Sequence, residues 1–350
     1  MTNKLKILTI ISGCILCMVS CVSSLETLNL EILKPATISI DPEILSVVIV
    51  DKSEPYRDEN VHTVVMPKET ISLDTIWVDN FSQIAVESMS EALKSKMFFD
   101  AVFLHDENEE DYIIDKGYIP DYELIDIIED LCYIYDAQAV IFLESYKYKT
   151  KLSLSDLGYV YYGSLDANGS VFWKMYDQHG ELIDMFLQSD SIFWDKTGNR
   201  FANILQELPE QTSAVEILAE YFGETYISRI SPFWDIASRK YFSKGHHYFE
   251  RANSLHKIGN WDEAAKVWYY VYESGNPPQK AKAAFNIALS YEVRGNFDEA
   301  VAWSEISYKL FRKMGAFRSS NYEKIISYHY YFLLNERQQQ KDKLDEQIGM

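Results

Sequence analysis

Residues 259–264 read Gly259-Asn260-Trp261-Asp262-Glu263-Ala264, and at an offset of 295 − 259 = 36 the chain repeats itself as Gly295-Asn296-Phe297-Asp298-Glu299-Ala300. Each block has the chemistry of a joint between two helices. Glycine tolerates the left-handed φ that ends a helix. Asparagine starts the next one by offering a side-chain oxygen to its free amides, and the Asp-Glu pair complements the positive end of the new helix dipole. An aromatic followed by alanine lets two antiparallel helices approach closely. Tyr248, Ala252 and Leu255 take packing positions in the helix before the first joint, and Ile287, Ala288 and Tyr291 do so before the second. Asn276-Pro277-Pro278 closes the first copy.

The offset is close to the ~34-residue period of tetratricopeptide repeats. Residues 245–278 and 281–314 therefore read as two such repeats within an all-α, tetratricopeptide-like helical repeat domain over 206–350. Residues 321–334 read as a capping helix. Such arrays need about three units, so helices near 208–228 and 234–242 are expected to supply the missing surface. First helices line the concave groove of a tetratricopeptide array. The register places His246, Phe249, Asn253 and His256 there from the first copy, with Lys282, Phe285 and Leu289 from the second. Such a groove holds an extended or helical segment of a partner protein.

Upstream the period changes. Residues 44–50 form a β-branched apolar run, the signature of a buried strand. Asn80 and Gln83 resemble a capping box, and Phe81, Ile84, Ala85, Met89, Ala92, Leu93 and Met97 share one helical face. A short strand at 101–104 follows, then a helix at 121–135 with Leu124, Ile125, Ile128, Leu131 and Cys132 inward, then a strand at 139–148. Asn168-Gly169, between apolar runs at 159–165 and 170–176, reads as a hairpin turn. His179-Gly180 reads as another before 182–187. The expectation is an α/β (α+β) domain over 39–205 in which an antiparallel meander extends the sheet.

Residues 1–20 have the form of a secretory signal, with Lys4 and Lys6 before an apolar run too short to span a bilayer. The run ends in Met18-Val19-Ser20-Cys21, which resembles a bacterial lipobox and implies lipidation of Cys21, with residues 21–38 as a tether. Acyl chains at ~0.8 kcal/mol per buried CH₂ give a durable membrane anchor. Cys14 and Cys17 leave with the signal, so Cys132 has no disulfide partner in the exported chain. Glu26 stands alone behind Val22-Ser23-Ser24-Leu25, without the acidic cluster of surface-exported lipoproteins, which favours the periplasmic face of the outer membrane. Arg229-Ile230-Ser231-Pro232-Phe233-Trp234 and Arg239-Lys240-Tyr241-Phe242, taken with the lipobox, the early strand, Trp261 and Trp268, resemble an uncharacterised family of Gram-negative lipoproteins. That resemblance implies the same architecture and location only.

A formal charge of −20 and a pI near 4.8 argue against a nucleic-acid binder. Asp106, Asn108 and Glu110 alternate like calcium ligands, but Asp111 stands where an EF-hand needs glycine and Gly117 where it needs glutamate. None of the seven histidines falls in an HExxH pair, and no nucleophile elbow, phosphate loop or dinucleotide glycine pattern occurs. No metal, cofactor or enzyme activity is expected. The 25 Tyr, 18 Phe and 7 Trp suit either close packing or a binding surface. The sequence thus points to a lipid-anchored, non-enzymatic scaffold for envelope proteins, with a carbohydrate-binding outer-membrane lipoprotein as the alternative.

Overall fold

The computed structural model describes residues 25–55, 61–73, 78, 80–106, 114–315 and 319–348. The signal segment and Cys21 lie outside the described residues. Among the described residues two compact units emerge, one from those within 35–233 and 347–348, the other from those within 25–34 and 234–346.

The first unit is a seven-stranded mixed sheet with helices on both faces. Its strands are β2 (Ser46–Pro55), β3 (His62–Met66), β4 (Glu69–Leu73), β5 (Ala101–Leu104), β6 (Ala139–Asp156), β7 (Tyr161–Asp177) and β8 (Leu182–Gly198). β2 lies parallel to β5 on one side and to β6 on the other. It is apolar at successive positions, Val47 to Val50, because both of its faces are covered. The far half of β6 pairs with β3, and β6, β7 and β8 run antiparallel.

Helix α1 (Phe81–Lys96) sends Phe81, Ala85, Met89 and Leu93 into the core beside β2 and β6. Helix α2 (Asp121–Tyr135) covers part of the opposite face, over β2 and the start of β6, with Leu124, Ile128, Leu131 and Cys132. Two of the residues expected inward are not: Ile125 is 39% exposed, and Met97 turns out of α1 at φ 50°. Asn80 occupies the N-cap position of α1 without a side-chain capping bond, and Gln83 bonds to Glu87 instead.

The Asn168-Gly169 turn does not exist. Both residues sit in mid-strand, Gly169 opposite Tyr148 and Asp190. A Cβ on Gly169 would stand 2.9 Å from the Lys147 carbonyl and 3.0 Å from both Leu218 and Phe222. The glycine makes room for a helix. That helix is α4 (Gln211–Ile230), which follows the short α3 (Phe201–Glu207). The His179-Gly180 turn is present, with Gly180 at φ 76°.

α4 corrects a second expectation. It does not extend the helical repeat but buries Ala214, Leu218, Phe222 and Tyr226 in the sheet core against α1. Gly223 permits the crossing, since a Cβ there would meet the Ala85 carbonyl at 2.2 Å. Asp184 of β8 fixes the helix, accepting from Arg229 at 2.6 and 2.7 Å and from the Tyr226 hydroxyl at 3.0 Å.

Among the described residues the second unit contains five helices: α5 (His247–Lys257), α6 (Trp261–Ser274), α7 (Pro277–Val293), α8 (Phe297–Lys313) and α9 (Asn321–Gln347). Its two joints have one geometry. Gly259 and Gly295 lie at φ 78° and 73°, and the Asn260 and Asn296 amides each donate to a carbonyl five residues back at 3.0 Å. Asn260 caps Glu263, whereas Asn296 makes no side-chain cap. Asn276 and Gln279 form a capping box that brackets Pro277 and Pro278 at the start of α7.

The expected tether and the expected helix at 234–242 are both strands. β1 (Leu25–Lys34) pairs with β9 (Phe233–Phe242) as a two-stranded ribbon. Burial alternates along β9 from Phe233 to Lys240, a period of two that its aromatic residues satisfy as a strand.

Candidate functional site

The seven expected groove residues lie on α5 and α7 or, for His246, just before α5, but no open groove remains there. The β1–β9 ribbon and α9 fill it. Phe249 and Leu289 are core residues, and Phe285 meets the rings of Phe242 at 5.3 Å and Tyr330 at 4.6 Å. Asn253 is buried and donates to the Ser243 carbonyl at 2.9 Å. His256 stands edge-on to Tyr241 at 4.5 Å, and burial holds its pKa below the ordinary histidine value. Lys282 pairs with Glu323 at 2.9 Å and lies over the Phe242 ring. His246 is half-buried and caps α5, its Nδ1 accepting from the Tyr248 amide. The correction has a physical cause. An apolar groove is filled by the first strand that matches it, and the chain carries that strand itself.

The match is specific. Asn286 on α7 accepts from the Phe242 amide at 2.8 Å and donates to the Phe242 carbonyl at 2.7 Å. Arg239 pairs with Glu292 at 2.8 Å, and the Tyr330 hydroxyl completes that buried carboxylate at 2.7 Å. At the other edge, Glu26 accepts from the Tyr241 hydroxyl at 2.6 Å, which holds the carboxyl below its usual pKa. Polar residues on a predicted groove face carried this information. An asparagine such as Asn286, in mid-helix and flanked by apolar positions, implies a backbone to bind.

The surface left open lies on the sheet unit. Antiparallel partners share a face, so Lys147–Ser170–Ser189, Lys149–Asn168–Ser191 and Lys151–Asp166–Phe193 form successive rows across β6, β7 and β8. α1 and α4 cover the opposite face. Two adjoining cavities of about 550 and 480 Å³ open here, lined by Lys147, Lys149, Asn168, Ser170, Phe172 and Leu187 among others. Lysines two apart on a strand stand about 6.8 Å from one another. Lys149 and Lys151 have no ion-pair partner among the described residues. At the inner end, Glu144 bridges the buried Lys52 at 2.8 Å and Lys174 at 3.5 Å. Burial alone would lower the Lys174 pKa, but Glu144 and Tyr176 overcome it and hold the pKa above its usual value. The alternating lysines of β6 were legible in the sequence, but the false turn at Asn168-Gly169 hid the surface they join.

A smaller cavity of about 230 Å³ opens beyond the carboxyl ends of β2 and β5, with Asp51, Glu87, His105, Asp106 and Lys116 around it. Asp51 is engaged by Ser53 and by Lys116 at 3.2 Å, and His105 by the Tyr135 hydroxyl at 3.1 Å. Among the described residues no group of His, Cys, Asp and Glu is arranged to hold a metal ion.

Fold and surface together define a two-unit protein in which a layered α/β sheet with one open face accompanies a self-filled helical unit. The chain belongs to the family of a domain of unknown function, DUF8603, whose profile matches residues 44–242, more than half its length. A second domain of unknown function, DUF6340, matches residues 250–336. No curated protein matches the sequence. Among solved structures, a neuraminyllactose-binding hemagglutinin homolog from Helicobacter pylori aligns at 12% identity over 56% of this chain and 89% of its own, with a TM-score of 0.26. That score is below what a shared fold requires.

Proposed function

We propose that the chain is a lipid-anchored, non-enzymatic scaffold of the cell envelope that holds an extended acidic segment of another envelope protein on the open face of β6, β7 and β8. The observation that carries this reading is the row Lys147, Lys149 and Lys151, set on a rigid strand beside Phe172 and Leu187 in a chain of net charge −20. Local positive charge on an acidic molecule selects acidic partners, and apolar neighbours supply contact area.

The anchor is Cys21, and the proposed location is the periplasmic face of the outer membrane. β1 begins at Leu25, and four residues of chain span at most about 14 Å. The lipid would therefore hold the helical unit close to the bilayer. The two helical hairpins are tetratricopeptide-like in this reading, supported by the common hydrogen bonding of their joints. Their groove serves the fold, and partner binding passes to the sheet.

In-cell crosslinking followed by mass spectrometry tests the reading. Lys149→Glu/Lys151→Glu should abolish recovery of the partner at unchanged melting temperature, while equal recovery overturns the assignment. Retention on a glycan gel that is lost in Phe172→Ala or Phe193→Ala would instead support the carbohydrate-binding alternative. Palmitate labelling that persists in Cys21→Ala would remove the anchor.

A further inference from the structure

β8 is an edge strand of 17 residues that pairs with β7 and with no other described strand. Edge strands of this length are normally blunted by proline, by a bulge or by brevity, since their outward amides and carbonyls template further pairing. β8 contains no proline, and its register against β7 is unbroken from Tyr161↔Gly198 to Met175↔Asp184. Its apolar side chains are open to solvent, with Leu187 63%, Met185 56% and Phe193 53% exposed.

Three of the four nearest residue pairs about Asp190 match in chemical kind, Gln188 against Ile192 being the exception. Ser189 mirrors Ser191, Leu187 mirrors Phe193, and Phe186 mirrors Trp194. Side chains alternate faces with period two, so an antiparallel mate must keep this parity. Centring on Asp190 does so. The Ser191 amide donates to the Asp190 carboxylate at 2.8 Å. An amide engaged by its own neighbour's side chain is one that β7 has left free, and residues 187, 189 and 193 share its orientation.

We propose that two copies of this chain pair edge to edge through β8, antiparallel about Asp190. Leu187 then lies opposite Phe193 of the second copy, twice over, and Ser189 opposite Ser191. The residues with outward amides become the hydrogen-bonded pairs of the new ladder. A twofold axis makes each contact count twice, as an isologous interface requires. The lysine-lined faces of the two copies join into one surface, because opposite residues share a face. The two Asp190 residues meet at the axis, each carboxylate held by the Tyr221 hydroxyl of its own copy at 2.6 Å, and like charge there weakens the pairing. This inference stands independently of what the open face binds.

Sedimentation velocity of the full chain over a concentration series should show a reversible dimer. Leu187→Lys/Phe193→Lys should return it to monomer with an unchanged melting temperature, and Asp190→Ser should shift the equilibrium toward dimer. Register is read from oxidation. Asp190→Cys places two thiols across the axis at disulfide distance and should crosslink at least about tenfold faster than Ser189→Cys, whose sulfur faces residue 191 of its mate. A chain that stays monomeric up to about 1 mM, the weakest useful affinity, overturns the proposal. So does a dimer indifferent to the lysine substitutions, or equal crosslinking rates at 189 and 190.

Discussion

Asn286→Ala removes the single side chain that binds both polar groups of Phe242. Asn286 and Phe242 are fully buried, and the two bonds measure 2.8 and 2.7 Å. Without the amide, one N–H and one C=O stay buried with no partner, each costing about 1–3 kcal/mol. The expected loss is therefore roughly 2–6 kcal/mol, confined to the helical unit. Urea unfolding followed by the fluorescence of Trp261 and Trp268 reports that loss, and hydrogen exchange at the Phe242 amide localises it. Asn286→Asp keeps the acceptor but turns a second oxygen toward the Phe242 carbonyl, so it should cost at least as much. A loss below about 0.5 kcal/mol, within the scatter of ordinary surface substitutions, would refute the claim that Asn286 fastens the strand. So would a large loss that leaves exchange at Phe242 unchanged.

Gly223→Ala forces a methyl group against the Ala85 carbonyl and should cost about 1–3 kcal/mol by overpacking, read as a lower thermal midpoint of the sheet unit. His256 is held neutral by burial, with Lys257 adding to the effect and Glu26 opposing it. Its stabilising contribution is present above the unfolded value of about 6.5 and is lost as pH falls through the lower folded value. The stability curve of His256→Gln should be flatter than that of the parent below pH 6.5, and parallel curves would count against a buried neutral imidazole. Cys132 has its pKa pushed up to about 11, first by burial and then by the charge of Asp177. Its thiol should resist alkylation at pH 8 until the sheet unit unfolds, and rapid modification of the folded chain would contradict that burial.

The elements of the fold were legible wherever one periodicity dominated. β2 reads as an uninterrupted β-branched run and α2 as an apolar helical face, and the structure has both. The helical joints were legible because glycine and asparagine act locally. What failed involved distant partners. Gly169 carries the same letters as a hairpin turn, yet its lack of a side chain serves α4, about fifty residues further on. α4 looks like one more repeat helix until Asp184 is known to hold Arg229. The expected groove is filled, and its occupant lay in a segment whose aromatic content suited helix or strand equally. No local rule pairs Leu25–Lys34 with Phe233–Phe242.

That pairing makes the architecture nested rather than sequential. Glu26 meets Tyr241 across 215 positions and Asn29 meets Ser238 across 209, while Lys34 touches Asp235 at 2.5 Å where the ribbon opens. The entire α/β sheet is thus a detour leaving and re-entering the helical unit at neighbouring points. Closing so long a loop delays the ribbon during folding, so β1 waits, unmatched, until the roughly two hundred residues before β9 have followed. A truncation beginning at residue 35 would expose one side of β9 and deprive Tyr241 of its carboxylate. Excising the detour and joining Lys34 to Trp234 through a tight turn should leave the helices and their ribbon intact.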